Sequence, residues 1–279
     1  MLAGLRHFRR IITVARILAR HDALFPLERA GLPRVFTGLL RIVLLAPRKS
    51  GVRQIRPGER LTLAMTALGP AFVKLGQALS VRPDLVGDTL ADDLRSLQDN
   101  LPAFSGAQAR TIVETELNGT IEDLFGSFDD TAIAAASIAQ VHKATTPDGD
   151  TIAVKLLRPG IEAAFARDLD LALWAAQRVQ NLRPELNRLR PVEAVQTIIR
   201  SVEMEMDLRF EAAAADELRQ NFEDDPTFSV PAVDWLRTGR RVMTTAWIDA
   251  TPMNEIDPDT EKLDRETIVA NFARAFFLQ

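Results

Sequence analysis

The 279-residue chain contains no cysteine, which excludes a disulfide framework, a cysteine-ligated zinc or iron–sulfur site and a thiol nucleophile. Its three histidines, His7, His21 and His142, are scattered, so a histidine-rich metal centre is not expected. Long apolar runs are also missing. No uncharged run before residue 30 exceeds Ile11 to Ala15, too short for a signal-peptide core. The apolar stretch 35–46 is interrupted by Arg41 and reaches only about half a bilayer-spanning length. Lysine is scarce, since arginine supplies all but five of the 34 basic residues.

What remains is ordinary globular composition, 47% apolar and 26% charged, sized for one large domain or two small ones. The net charge of −4 conceals an asymmetry: residues 1–60 hold 13 Arg/Lys against 3 Asp/Glu, and the rest hold 21 against 35. A basic arm on an acidic body points to an anionic partner at one end. Within the arm Ile11, Val14, Ala15 and Leu18 recur at helical spacing, flanked by Arg9, Arg10, Arg16 and Arg20. Two readings stay open, a helix packed on the body and a helix lying on a membrane surface. Nucleic acid is not expected, because few aromatic residues interleave the arginines and no nucleic-acid motif is present.

Proline and glycine punctuate the rest. Arg48-Lys-Ser-Gly51 and Arg56-Pro-Gly58 read as a linker, followed by helices over 59–69, 70–81, 88–97 and 106–118. No strand-like alternation precedes residue 127. Runs 137–144 and 151–157, joined by Thr146-Pro-Asp-Gly149, then read as a hairpin. Helices over 161–182 and 191–222 follow, separated by Arg183-Pro184, with the second presenting Val192, Val195, Ile199, Val202 and Met206 on one face. Strand-like pieces at 230–233 and 241–248 precede a last helix over 267–279, which stops without a cap and reads as cut inside an element.

Two constellations could carry chemistry. Lys155 ends Thr151-Ile-Ala-Val-Lys155, a strand after a hairpin, preceded by the alanine-rich loop Ala134-Ala-Ala-Ser137. Loop, hairpin and strand lysine is the order with which kinase-like folds grip nucleotide phosphates, and Glu203, Glu205, Asp207 and Glu211 are helix carboxylates that could hold the lysine. A solvated strand lysine is the plainer alternative. In Lys74-Leu-Gly-Gln77, Lys74 and Gln77 share a helix face, and Gly76 permits a close approach. By itself that is a surface pair beside a packing glycine.

Taken together, the motifs resemble the UbiB/AarF family of atypical kinase-like proteins, and the likeness extends over the whole chain. Leu68 to Gln77, with Ala78-Leu-Ser80 and Arg82, is similar to the family's KxGQ segment, and Leu97-Gln98-Asp99 follows in place. Ala134-Ala-Ala-Ser-Ile-Ala-Gln-Val-His142 looks like its alanine-rich nucleotide loop. Val154-Lys155 with Arg158-Pro-Gly-Ile161 matches the lysine strand, and Glu205-Met-Asp207 followed by Glu211-Ala212 matches the ExD motif.

The resemblance implies an α+β fold: a protein-kinase-like N-lobe over 127–249, a helical KxGQ extension over 59–126, a basic arm and linker over 1–58, and the start of a truncated C-lobe over 250–279. It implies that Ile133, Ala134, Ala135, Ala136, Ser137, Ile138, Ala139, Gln140, Val141 and Lys155 bind the nucleotide. Lys155 would pair with Glu205, while Asp207, roughly 200° away on a continuous helix, would turn toward Lys74 and Gln77 or toward a metal. The KxGQ residues would occupy the place of a peptide substrate, favouring ATPase or small-molecule phosphotransfer, and the alanine loop tilts preference toward ADP. ATP or ADP, with magnesium in the full-length protein, are the implied cofactors.

Ubiquinone biosynthesis is the implied pathway. Polyprenyl intermediates, other pathway proteins and an anionic membrane surface, at the inner face of the bacterial cytoplasmic membrane, are the implied partners. A non-catalytic lipid-binding or scaffold module is the alternative. Two departures stand out: Ala246 occupies a hinge position, within 242–248, where the family commonly has an acid, and no H-x-D-x-H-P-G-N catalytic loop or D-F-G-like aspartate occurs. No catalytic residue is therefore expected in this chain.

Overall fold

A computed structural model of the chain describes residues 2–25, 38, 44, 47, 51–97, 102–182, 187, 188, 190–251, 256 and 264–278. Linker residues 48–50, Gln98 and Asp99, and the break at 183–186 lie outside the described residues, as does most of the 35–46 run. In chain order the helices are α1 (Leu2–Arg20), α2 (Pro57–Leu68), α3 (Pro70–Ser80), α4 (Pro83–Val86), α5 (Asp88–Arg95), α6 (Gly106–Leu117), α7 (Ile121–Leu124), α8 (Ile161–Leu182), α9 (Pro191–Glu205), α10 (Leu208–Asn221) and α11 (Arg265–Leu278). The strands are β1 (Ser127–Ala135), β2 (Ala139–Thr145), β3 (Thr151–Leu157) and β4 (Val242–Ala246). They fall into two compact units, one of residues 1–103, 135–139 and 160–202 and one of 104–134, 140–159 and 203–279.

The first unit is built from helices. Pro57 and Pro70 occupy first-turn positions, where the missing N–H costs nothing, and start α2 and α3. Between them Gly69 turns the chain at φ 112°, a conformation that favours glycine. Leu61, Ala64 and Met65 of α2, Val73 of α3, and Leu94 and Leu97 at α5 close one core with Ala23. Gly76 is needed there because a Cβ would collide with the side chains of Leu97 and Met65. The close approach expected at this glycine is thus made by side chains, not by another backbone.

The basic arm is fastened to this unit through charge. Arg10 reaches Asp168 of α8 with Nε at 2.6 Å and Nη2 at 2.8 Å, and Nη2 also donates to Leu68 O. His7 Nε2 lies 2.9 Å from Asp170 and its ring stands 5.4 Å from that of Trp174. Arg60 pairs with Asp22, and Arg56 with the buried Asp93 at 2.6 Å.

The second unit carries a four-stranded sheet in the order β1-β2-β3-β4, with β3 and β4 antiparallel and Lys155 opposite Met243. Thr146-Pro-Asp-Gly149 forms the β2–β3 turn, with Gly149 at φ 98°. Ser105 starts α6 with a capping box to Gln108. That helix lays Ala109, Ile112 and Val113 over Ile152, Val154, Leu156 and Val242, with Phe125 and Phe128 completing the core.

Two expectations are corrected here, and one strand is added to those expected. The helix expected over 191–222 is two helices, because Asp207 leaves the helical conformation and caps α10 by accepting from Arg209 N. Residues 127–135, whose alanines and aspartates hid the pattern, form strand β1. The piece at 230–233 makes an isolated bridge, Val233 to Thr245, that lines the outer edge of β4.

Candidate functional site

Alternation along β3 sends Ile152, Val154 and Leu156 into the core under α6, and Thr151, Ala153 and Lys155 to the opposite face. Lys155 Nζ there lies 2.5 Å from Glu211 Oε1 of α10, with both side chains partly exposed. Two anchors, Leu208 and Ala212, flank Glu211 on the buried side of α10, and Leu208 N bonds Arg240 O at the entry to β4. The carboxylate set against the strand lysine is therefore Glu211, whereas the pairing expected for Lys155 was with Glu205. The physical reason is the break at Asp207. Glu205 ends α9 and Glu211 opens the next helix, so the angular argument for one continuous helix does not apply.

Asp207 is committed locally. Its carboxylate takes Arg209 Nη2 at 2.6 Å and Nε at 2.9 Å, and the Arg209 guanidinium holds that carboxyl below the usual carboxylate range. Among the described residues no three His, Asp or Glu side chains gather as a metal site.

The alanine loop is a tight β1–β2 connection, closed by Ala136 N donating to Ala139 O at 2.8 Å. None of its residues has positive φ, as expected of side chains that carry a Cβ. Ile133, Ala134 and Ala136 are exposed, while Ala135, Ile138 and Val141 are half-buried and Ser137 and Ala139 buried. Residues 135–139 belong to the helical unit.

Gln140 does something else. It is 1% exposed, and its side chain clasps Phe104, accepting from Phe104 N at 2.9 Å and donating to Phe104 O at 3.2 Å. Its second N–H donates to His142 Nε2 at 2.7 Å, while His142 Nδ1 donates to Asp129 O. This fixes a neutral tautomer for a histidine that is fully buried and stacked on Phe128. Burial pushes the His142 pKa down. The sequence held a signal for this clasp, because residues two apart on a strand share a face.

In the helical unit, Lys74 and Gln77 both lie on α3. Gln77 Nε2 donates to Leu97 O at 2.9 Å, and Ser80 Oγ donates to Gln77 O. Gln77 thus ties α3 to the end of α5. At the hinge, the N–H groups of Ala246 and Trp247 are spent on Ala232 O and Thr151 O, and Lys143 lies over the Trp247 ring at 4.7 Å.

A strand lysine ion-paired to a helix carboxylate, beside a hairpin and a short hinge strand, defines a kinase-like lobe. The chain belongs to the ABC1 atypical kinase-like family, whose domain matches residues 96–279. It is 37% identical over 274 residues to the Probable protein kinase UbiB of Marinobacter nauticus, covering 97% of this chain and 49% of that protein. The protein of the same name from Cellvibrio japonicus is 37% identical over 275 residues, covering 98% and 49%, and that from Shewanella baltica 45% identical over 177 residues, covering 63% and 32%. The chain spans about half the length of the first two relatives. A solved structure, the Rv3197–erythromycin complex from Mycobacterium tuberculosis, is 34% identical over 67% of this chain and 46% of that one, with a TM-score of 0.48.

Proposed function

We propose that the chain is the nucleotide-gripping part of a UbiB-type protein that supports ubiquinone biosynthesis by ATP turnover or small-molecule phosphotransfer. The observation that carries the reading is the Lys155–Glu211 pair. A half-exposed ion pair contributes only about 0–1 kcal/mol to stability, so its placement is better explained by what the lysine can reach. Held by Glu211, the compact ammonium is aimed at an anionic ligand, and a nucleotide phosphate suits it. ATP or ADP is the ligand on this reading, and polyprenyl quinone intermediates and other proteins of the pathway are the partners. Magnesium, where bound, would supply neutralisation of phosphate charge, and among the described residues no set of ligands gathers to hold it. These residues bind and orient; a general base has to come from elsewhere. A scaffold role for polyprenyl intermediates is the rival.

Titration with fluorescently labelled ADP and ATP tests the reading. The 279-residue chain should bind weakly, with little response to magnesium and no ATP turnover above background. Lys155→Ala should abolish binding, and Glu211→Gln should weaken it about tenfold. Binding that both variants retain would remove the nucleotide reading and leave the scaffold.

A further inference from the structure

Helix α6 ends against its own dipole. Its last turn holds Glu114 and Glu116 and no basic residue, although a carboxylate is disfavoured at a helix C-terminus. Both acids serve backbone beyond the helix. Glu114 Oε1 accepts from Ile121 N at 3.4 Å, at the start of α7. Glu116 reaches a more distant part of the chain, its Oε1 accepting from Arg240 N at 2.5 Å just before β4. The other end of Arg240 is engaged as well, because its carbonyl accepts from Leu208 N at 2.8 Å. The main chain of Arg240 is thus a bridge, with its N–H on α6 and its C=O on the first turn of α10.

The bridge meets α10 at a point that matters for Glu211. Leu208 is the first residue of that helix and 1% exposed, and its N–H is one of the donors that a helix start leaves without an internal partner. Glu211 lies three residues on, almost one turn along the same side. Room for the acid is left at Gly239, where a Cβ would stand 2.7 Å from Glu116 Oε1 and 2.8 Å from its Cγ. The charge of Glu116 is also felt within that turn: Asp207 first, and Glu116 with it, raise the Arg209 pKa.

We infer that Glu116 is a positioning residue for Lys155, acting through the Arg240 peptide on the first turn of α10 and so on the place of Glu211. The inference rests on the reading that Lys155 and Glu211 face a nucleotide, and it adds the group that sets their aim. Both links are made by main chain, so the bridge demands an acceptor at position 116 rather than a particular side chain at 240. A hydrogen bond weakens beyond use within about 1 Å of its ideal length, so a helix start set loose by that much would carry Glu211 off the lysine.

The test is a double-mutant cycle on the 279-residue chain, read with labelled ADP and with the rate at which acetic anhydride acetylates Lys155, followed by mass spectrometry. Glu116→Ala should weaken ADP binding about fivefold. Glu116→Gln, whose amide oxygen can still accept from Arg240 N, should restore most of the loss. In a Glu211→Ala background Glu116→Ala should cost nothing more, because the carboxylate it positions is gone. Lys155 should acetylate about threefold faster in both Glu116→Ala and Glu211→Ala, with Lys143 of β2 unchanged as the internal reference. Equal losses from Glu116→Ala with and without Glu211 overturn the inference, since a general loosening of the fold produces them. So does an equal loss in Glu116→Gln, or an unchanged Lys155 rate. Should the parent chain bind no ADP, the nucleotide reading alone is removed and the Lys155 rate decides: a rise in Glu116→Ala upholds the positioning role, and no change overturns it.

Discussion

The two units differ in the charge they bury. In the helical unit two carboxylates are taken from water against arginines, Asp168 with Arg10 and Asp93 with Arg56, beside the neutral Ser80 and Ser137. In the sheet unit the most deeply buried polar side chains, Gln140, His142 and Thr244, are neutral and satisfied by hydrogen bonds. The apolar cores beside these groups also differ: alanine, leucine, methionine and valine in the helical unit, and aliphatic residues with Phe125 and Phe128 under α6 in the sheet unit. Charged staples tolerate loss of a partner badly, and neutral clasps tolerate acid badly.

The largest effect expected from this contrast is at Asp168, whose side chain is 4% exposed. Asp168→Ala strands the guanidinium of Arg10 and should cost about 3–5 kcal/mol in denaturant unfolding. The double change Arg10→Met, Asp168→Leu should restore most of it. The three tryptophans allow the loss to be assigned, because Trp174 lies in the helical unit and Trp235 and Trp247 in the sheet unit. A loss seen equally in both units by single-tryptophan variants would erase the contrast.

Acid should act on the other unit. Burial lowers the folded-state pKa of His142 below its unfolded value near 6.5, so the unfolded chain takes up the proton first. Stability is then complete above about pH 6.5 and falls as the pH drops below it, by at most about 1.4 kcal/mol per pH unit, until the folded pKa is passed. Protonation would set an Nε2–H against the Gln140 amide N–H. The Trp235 and Trp247 signals should report this slope, and His142→Gln should flatten it. An unchanged slope would assign the acid sensitivity elsewhere.

The smallest effect is expected at the exposed pair Arg82–Asp84, inside the KxGQ-like segment. Arg82 holds the Asp84 carboxyl below its usual range, yet both groups face water. Asp84→Asn should leave the unfolding midpoint unchanged, and a measurable drop would mean that surface charge matters to the helical unit as much as buried charge.

Much of this was legible in the residues, and the failures have definite causes. Pro70 and the Thr146-Pro-Asp-Gly149 turn act locally, so the elements they bound fall where expected, whereas Pro57 and Gly58, expected in a linker, open α2. Lys155 was recognisable as a strand lysine because alternation along 151–157 is regular. Its partner was not. Choosing among Glu203, Glu205, Asp207 and Glu211 depends on where the helix breaks, and Asp207 reads as an ordinary mid-helix residue until the chain is seen to turn there. Strand β1 was hidden because Asp129, Asp130, Ala132, Ala134 and Ala135, residues with little preference for strands, are spread over both of its faces.

The interleaving of the two units in the chain imposes an order of events during synthesis. Residues 160–202 complete the helical unit, and they emerge between β3 and β4. The helical unit therefore has all its parts while β3 still lacks the neighbour at its β4 side, and that edge stays open until residue 246 leaves the ribosome. A strand pairing that closes over so long an intervening segment is slow, and the unpaired edge of β3 is where another chain could add in the meantime.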